Sequence, residues 1–373
     1  MAKIKERVCT RCVMDTTDPN IVFNPKGECN HCIDWFKKME KYNYSNKYDI
    51  HKLVEEVKES SKDSEYDCII GISGGVDSTY LAYILVEKYK LNPLAVHFDN
   101  GWNSKQAVKN IKNLIKILDI DLETYVVDWE EYKELQKAYF KASVIDIEAL
   151  TDHAIIATLY KTAEENNLKY ILNGFNIKTE LIIPKNWTFN KNDSKNLKDI
   201  IRKNSSVEIK SLPTISEKKI KEIKKNLVSI NLFSYIDYND SEAKKTIIEK
   251  LKWLDYGGKH YESVFTRFYQ GYILPKKFNV DKRKAHLSCL VCSNDITRDK
   301  ALEILKTDFY PQEKQQEDLK YVLKKLDFTA DEFENYMKKD RVSHFKYKTN
   351  FTSFLRKKIN LPDRFFNKIK YIK

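Results

Sequence analysis

Residues Cys68–Leu85 read CIIGISGGVDSTYLAYIL, and the fold of the chain turns on this run. Tyr66–Ile72, which leads into it, is a short apolar stretch of the kind that forms a strand buried on both faces. It runs straight into Ser73-Gly74-Gly75-Val76-Asp77-Ser78, after which TYLAYILVEKY has helical spacing. Strand, glycine turn, helix is the geometry that aims backbone N–H groups and a helix dipole at an anion. The loop is not the lysine-bearing G-x-x-x-x-G-K-[ST] type, nor G-x-G-x-x-G.

The flanking chain repeats the theme. LNPLAVHFDNGWN predicts a second strand ending at Asp99, Asn100 and Gly101, and SKQAVKNIKNLIKIL a helix. LETYVVD predicts a third strand, HAIIATLYKTAEENN a helix, and KYILNGFN a fourth strand stopping at Gly174. Strands alternating with helices predict an α/β, doubly wound parallel sheet, whose ligands bind beyond the carboxyl ends of the strands. The resemblance of SGGVDS to the pyrophosphate loop of the ATP pyrophosphatases implies phosphates on the first loop, with adenosine near His97–Gly101. His97 equally suits a satisfied core histidine.

Composition narrows the classes. The net charge of +12 over 373 residues calls for an anionic partner, and nucleotides, nucleotide-linked sugars and nucleic acid all fit. No apolar run approaches the roughly 18 residues of a membrane span, and MAKIKERV lacks a signal-peptide core, so a cytoplasmic protein is expected. Glycine numbers only 9 of 373, so those present mark places where a Cβ would clash or φ must be positive.

Four of the seven cysteines, Cys9, Cys12, Cys29 and Cys32, form C-x2-C, sixteen residues, C-x2-C. Each pair can set two thiolates about 2.3 Å from a tetrahedral Zn²⁺. NIVF between them predicts a strand and NPKGE a turn, as in a zinc ribbon. Four thiolates close the shell, so the site is expected to be structural, with His31 surplus. Such a ribbon alone would also suit a nucleic-acid binder. A third pair, Cys289 and Cys292, leaves open a sulfur-carrying role; Cys68 reads as core.

The motif SGGVDS resembles the pyrophosphate loop of the N-type ATP pyrophosphatases (PP-loop proteins), which cleave between the α and β phosphates of ATP. The resemblance implies an adenine nucleotide alpha hydrolase-like sheet, with Ser73, Gly74, Gly75 and Ser78 on phosphates, Asp77 near Mg²⁺, and Asp99 and Gly174 beside the nucleotide. ILNGFNIKTELIIPKNWTFNKND and the stretch from Trp253 to Leu305 resemble the N-acetyl sugar amidotransferases, WbpG-like and PseA-like enzymes of O-antigen and nonulosonic-acid type biosynthesis. That family turns an acetamido group into an acetamidino group. Adenylation of the amide oxygen releases pyrophosphate, ammonia adds at carbon, and AMP leaves.

Carried onto this chain, the expected substrate side comprises Asn173, Asn176, Thr179 and Glu180 beyond the fourth strand. His260, Glu262 and Arg267 join them from the loop after Gly257–Gly258. Asp77, Glu180, Lys259, Lys282 and Arg283 are the expected catalytic or clamping groups, and Lys284 and His286 complete the cationic run DKRKAH. Cys289 and Cys292 keep a PP-loop tRNA thiolation enzyme as the alternative. Neither a Cys at position 2, where Ala2 stands, nor a glycine-flanked Cys elbow is present, so no glutaminase is expected in the chain itself. The resemblance implies separate glutaminase and ammonia-channelling barrel subunits similar to those of imidazole glycerol phosphate synthase; nucleic acid and membrane are not expected partners.

The organisation expected is a zinc ribbon over 1–35, a helical connector over 36–64, a PP-loop ATP-binding domain over 65–185, a sugar-side mixed segment over 186–295 and a helical region over 296–373. Within it, SEAKKTIIEKLKWLDYGG predicts a helix closed by glycines, Thr329 to Glu332 has capping-box spacing, and RFFNKIKYIK is a basic end.

Overall fold

The fold is taken from a computed structural model that describes residues 7–42 and 49–351. RFFNKIKYIK and part of the connector lie outside the described residues. Five strands, β1 (Cys68–Gly71), β2 (Pro93–Asp99), β3 (Leu122–Val126), β4 (Tyr170–Asn173) and β5 (Val228–Asn231), make one sheet in the order β3-β2-β1-β4-β5. Every pairing is parallel. The apolar runs of β1 and β2 are buried on both faces, whereas β3 and β5, with polar residues interleaved, lie at the edges. β5 escapes the sequence reading because VSIN is four residues long and half exposed. From β1 the order runs one way to β2 and β3 and the other way to β4 and β5. The crevice beyond β1 and β4 is therefore the switch point where such sheets bind ligands.

The helices, in chain order, are α1 (Asn30–Tyr42), α2 (Ile50–Ser60), α3 (Val76–Tyr83), α4 (Lys105–Leu118), α5 (Trp129–Ala142), α6 (Ala149–Glu165), α7 (Ile177–Glu180) and α8 (Ser194–Asn204). They continue with α9 (Glu217–Ile223), α10 (Asp240–Leu251), α11 (Val264–Phe268), α12 (Leu274–Phe278), α13 (Arg283–Cys292), α14 (Arg298–Leu305), α15 (Gln312–Lys325) and α16 (Ala330–Lys338). Helices α2, α3, α4 and α10 cover one sheet face around Ile70, Leu81, Leu114 and Ile247. Helices α6 and α9 cover the other around Ile69, Val96, Ala163 and Ile220. Ile69 and Ile70 enter opposite cores with no exposure, so truncating either to Ala costs about 2–5 kcal/mol.

A third core lies beside the sheet. It packs the N-terminal cysteines and Trp35 with residues of α5, α8, α11, α13 and α16, and its bulk is aromatic: Trp102, Tyr132, Phe140, Phe268 and Tyr269 are all fully buried. The helical C-terminal region thus completes a hydrophobic core shared with the chain's beginning.

Three local expectations meet their outcome here. The capping box forms, with the Thr329 hydroxyl accepting from Glu332 N and the Glu332 carboxylate from Thr329 N. Helix α10 instead ends at Leu251, closed by Lys252 at φ 53°; Gly257 and Gly258 shape a separate loop further on. The strand expected in NIVF reduces to a single bridge, Phe23 with Cys29. Asn24 holds the turn by accepting from Lys26 N and Glu28 N.

Candidate active site: two cavities sharing a wall

The bend after β1 is fixed by glycine. Gly74 sits at φ 79°, and a Cβ there would meet the Ala107 carbonyl oxygen at 2.6 Å. Its own carbonyl accepts from Trp253 Nε1 at 3.0 Å and more loosely from Asn110 Nδ2, which ties the loop to the chain following α10. Inside the bend, Ser73 N and Gly75 N reach only the hydroxyls of Ser78 and Ser73, at 3.3 and 3.2 Å, weak bonds that an anion can replace. Helix α3 starts at Gly75 without a side-chain cap, leaving its first N–H groups for that anion.

A cavity of about 410 Å³ opens over this loop. Ser73, Gly75, Asp77, Ser78 and Gly174 line it together with Glu262, which arrives from the far side. Gly174 is required by proximity: a Cβ would come within 3.1 Å of the Asp77 carbonyl oxygen and of the Phe233 ring. Asp77 accepts from the Tyr238 hydroxyl. Burial raises its carboxyl to about 6, with Lys259 pulling the other way.

A second cavity, about 280 Å³, adjoins the first. Glu180, Lys191, Lys282 and Arg283 bring charge to it, and Phe175, Ile183, Trp187 and Phe309 bring apolar surface. Lys191 is held by Asp146 at 2.6 Å and Asp152 at 2.9 Å. The Trp187 indole N–H is buried without a partner among the described residues. Thr179, Lys259, His260 and His286 line both cavities and form the wall between them.

The wall is electrostatically ordered. Lys259 pairs with Glu180 at 2.8 Å; burial works against its charge, but Glu180 and Asp77 outweigh this and hold the ammonium above its ordinary value. His260, at φ 64°, faces Glu262 at 3.8 Å. Burial disfavours the charge of each partner, but their mutual attraction wins, so His260 is raised and Glu262 lowered. His286 departs from the cationic reading of DKRKAH. Burial and the neighbouring Lys259 hold it down at about 4, so at neutral pH its ring carries no charge.

Several expected site residues lie elsewhere. Asp99 is occupied with its own turn, accepting from Gly101 N at 2.8 Å and Asn103 Nδ2 at 3.2 Å, and lines neither cavity. Nearby His97 is a satisfied buried histidine, its ring between the Ile72 carbonyl and Asn103. Asn173 bonds Ser229 and Phe175 N, and the buried Asn176 starts α7 through its backbone; neither lines a cavity. Arg267 is buried in a two-pronged pair with Asp318, both bonds 2.7 Å, so it holds α11 to α15. Glu262 lies on the nucleotide side of the wall, not the substrate side. Arg283 reaches the second cavity but is tied to Asp281 and the Thr307 carbonyl. Lys284 pairs with Asp15 at 2.5 Å.

Tyr238, Trp253, Tyr256, Trp187 and Lys191 were not picked out from the sequence. Only Tyr256, directly before the glycine pair, carried a local signal.

The four N-terminal cysteine sulfurs lie within 4.8 Å of one another, with separations of 3.5 Å for Cys12–Cys29 and 3.8 Å for Cys9–Cys32. A ZnS₄ tetrahedron with 2.3 Å bonds has edges of about 3.8 Å, so the donor set fits zinc. Cys9 Sγ also accepts from three backbone N–H groups, at 3.1 to 3.4 Å. His31 instead pairs with Asp18. Cys68, Cys289 and Cys292 are buried apart from both cavities, and burial raises the Cys289 thiol to about 12.

Sheet order, glycine bend and an open helix start define a PP-loop α/β nucleotide-binding domain. Residues 48–184 match the NAD synthase family, and residues 262–359 match the family described as LPS biosynthesis protein WbpG-like, C-terminal domain. His286 lies within the second match, and His260 two residues before its start. Among curated proteins it is similar to the uncharacterized protein MJ1599 of Methanocaldococcus jannaschii, 27% identical over 167 residues; the match covers 44% of this chain and 58% of that protein. Among solved structures, NMN synthetase from Francisella tularensis aligns at 18% identity and TM-score 0.29, covering 58% of this chain and 98% of that one. The NH3-dependent NAD synthetase of Campylobacter jejuni aligns at 17% and 0.28, covering 55% and 98%.

Proposed function

We propose that the chain is an ATP-dependent amidotransferase that adenylates the acetamido oxygen of an N-acetylated sugar and lets ammonia displace AMP, leaving an acetamidino group. The observation that carries this is the shared wall. A glycine-built anion cradle opens into one cavity, a mixed charged and apolar pocket forms the other, and among the described residues Thr179, Lys259, His260 and His286 line both. The similarity of residues 262–359 to the WbpG-like domain supports the sugar acceptor.

An amide is a poor electrophile because its nitrogen lone pair feeds the carbonyl. Attack of its oxygen on the α-phosphate expels pyrophosphate and converts that oxygen into part of a good leaving group. The cradle residues Ser73, Gly75 and Ser78 would receive the departing pyrophosphate, and Lys259 would neutralise charge growing at the α-phosphate. Asp77, with Asp240 also lining the cavity, fits a Mg²⁺ held by one or two carboxylates and phosphate oxygens, where the ion would supply Lewis acidity. The zinc knuckle would be structural: the backbone carbonyls of Cys9 and Cys12 take the Arg298 guanidinium, and Val13 N donates to Ser288 of α13.

No cysteine is among the residues lining either cavity, which speaks against sulfur transfer through Cys289 or Cys292; ammonia would come from separate subunits similar to the glutaminase and barrel of imidazole glycerol phosphate synthase. Incubation with ATP, Mg²⁺, an ammonium salt and candidate N-acetylated nucleotide sugars or nonulosonic acids tests the reading. AMP and a product one mass unit lighter than the acceptor are expected, since oxygen is exchanged for NH. Turnover only with tRNA and a sulfur donor would overturn it.

A further inference from the structure

Resting on that reading, the reacting carbon lies at the junction of the cavities, because the α-phosphate enters from one side and the amide oxygen from the other. The four wall residues differ in what they can do there. Lys259 is committed to its charge by Glu180. His260 faces Glu262 and holds its proton more firmly than a free histidine. Thr179 presents a buried hydroxyl with no partner among the described residues.

His286 is different. Its Nδ1 lies 3.2 Å from the Thr179 carbonyl oxygen. A carbonyl only accepts, so Nδ1 carries the ring proton and Nε2 keeps a bare lone pair. The residue sits in the first turn of α13, whose position is fixed on several sides: Arg283 to Asp281, Lys284 to Asp15, and Ser288 to Val13 N. We infer that His286 Nε2 is the proton acceptor for the incoming ammonia.

The electron and proton count closes. The ammonia lone pair forms the C–N bond while the π pair of the imidate moves onto the former amide nitrogen. Nε2 takes a proton from the new ammonium centre and returns one to that nitrogen. The nitrogen lone pairs then expel the C–O bond pair onto AMP, and the product leaves as an amidinium with the ring neutral again. The titratable groups facing His286 are Lys259, His260 and Glu180; burial and the lysine keep the ring unprotonated at neutral pH, so Nε2 has its lone pair free.

The test separates the half-reactions in the full chain, with an acceptor that the wild type adenylates. Acceptor-dependent exchange of labelled pyrophosphate into ATP reads the first half; amidine formation from an ammonium salt reads the second. His286→Asn keeps a donor for the Thr179 carbonyl but offers no basic nitrogen. Its amidine formation should fall about 100-fold or more while exchange falls much less. His286→Ala should regain at least about tenfold in amidine formation when imidazole is added, a rescue that a purely structural residue would not show. Equal losses in both half-reactions, an unaffected second half, or no imidazole rescue would overturn the assignment. Absence of acceptor-dependent exchange in the wild type would instead remove the adenylation reading itself.

Discussion

The two sides of the wall are built by opposite means. The nucleotide side grips with backbone: one contiguous run, Ser73–Ser78, bends where Gly74 alone fits and delivers uncapped N–H groups at the start of α3. The second cavity, proposed for the acceptor, is lined by side chains gathered from distant parts of the chain, Thr179 from α7, Lys191 from the loop before α8, Lys259 from the glycine loop and Lys282 from the start of α13. The four-cysteine knuckle steadies that side from outside, through Arg298 and Ser288. Local chemistry shapes the bend of the first side, which Trp253 and Tyr238 then hold from a distance; the lining of the second is assembled almost wholly from distant segments.

The sharpest way to break the contrast is to remove the knuckle's metal, or one ligand by Cys12→Ser. Structural zinc sites of this type are worth about 10 kcal/mol or more in isolated peptides, so this is the largest expected effect. The thermal midpoint should drop steeply and acceptor turnover vanish, with ATP binding by calorimetry surviving. A chelated protein that melts unchanged would refute the structural role.

Next comes Arg267→Leu. It strands the Asp318 carboxylate in a buried site at a cost of about 3–5 kcal/mol, and the double variant with Asp318→Leu should recover most of it. Denaturant melts decide. If the single variant is as stable as wild type but loses acceptor affinity, Arg267 belongs to the site after all.

Asp77→Asn should move stability and activity in opposite directions. The Asp77 carboxyl lies above its unfolded value, so its contribution to stability is fully present below that unfolded value and is lost as pH rises through about 6. At pH 8 the neutral variant should therefore be more stable by about 1–2 kcal/mol, after discounting for solvent screening, while pyrophosphate exchange falls about 100-fold. Paired melts at pH 4 and pH 8 check the sign, since the gain should appear only at the higher pH.

The smallest effect is expected at Lys282→Met: about a tenfold rise in acceptor KM, roughly 1.4 kcal/mol, with the KM for ATP unchanged in steady-state kinetics. An equal rise in both would dissolve the distinction between the cavities.

What could be read ahead of the structure follows the same division. The Ser73–Ser78 cradle and the Cys9, Cys12, Cys29 and Cys32 cluster were legible because each is a short-range pattern whose chemistry demands particular residues at particular spacings. Arg267 was misplaced because a cation in a charged, aromatic loop looks the same whether its partner is a ligand or Asp318 on another helix. Asp99 stands at a strand end, where ligands gather, yet its carboxylate closes a turn. His286 reads in sequence as one of a run of cations, since nothing in DKRKAH announces that burial and Lys259 keep it neutral. Tyr238 and Trp253, which hold Asp77 and Gly74, had no local signature at all.

From its sequence alone this chain is committed to a parallel α/β sheet, a glycine bend after its first strand and a four-cysteine knuckle, because backbone sterics and residue spacing act over a few residues. The meeting of Thr179, Lys259, His260 and His286 at one wall was decided only by tertiary packing. Side-chain pockets, proton affinities and ion-pair choices depend on which distant groups share a low-dielectric space, and no local pattern encodes that.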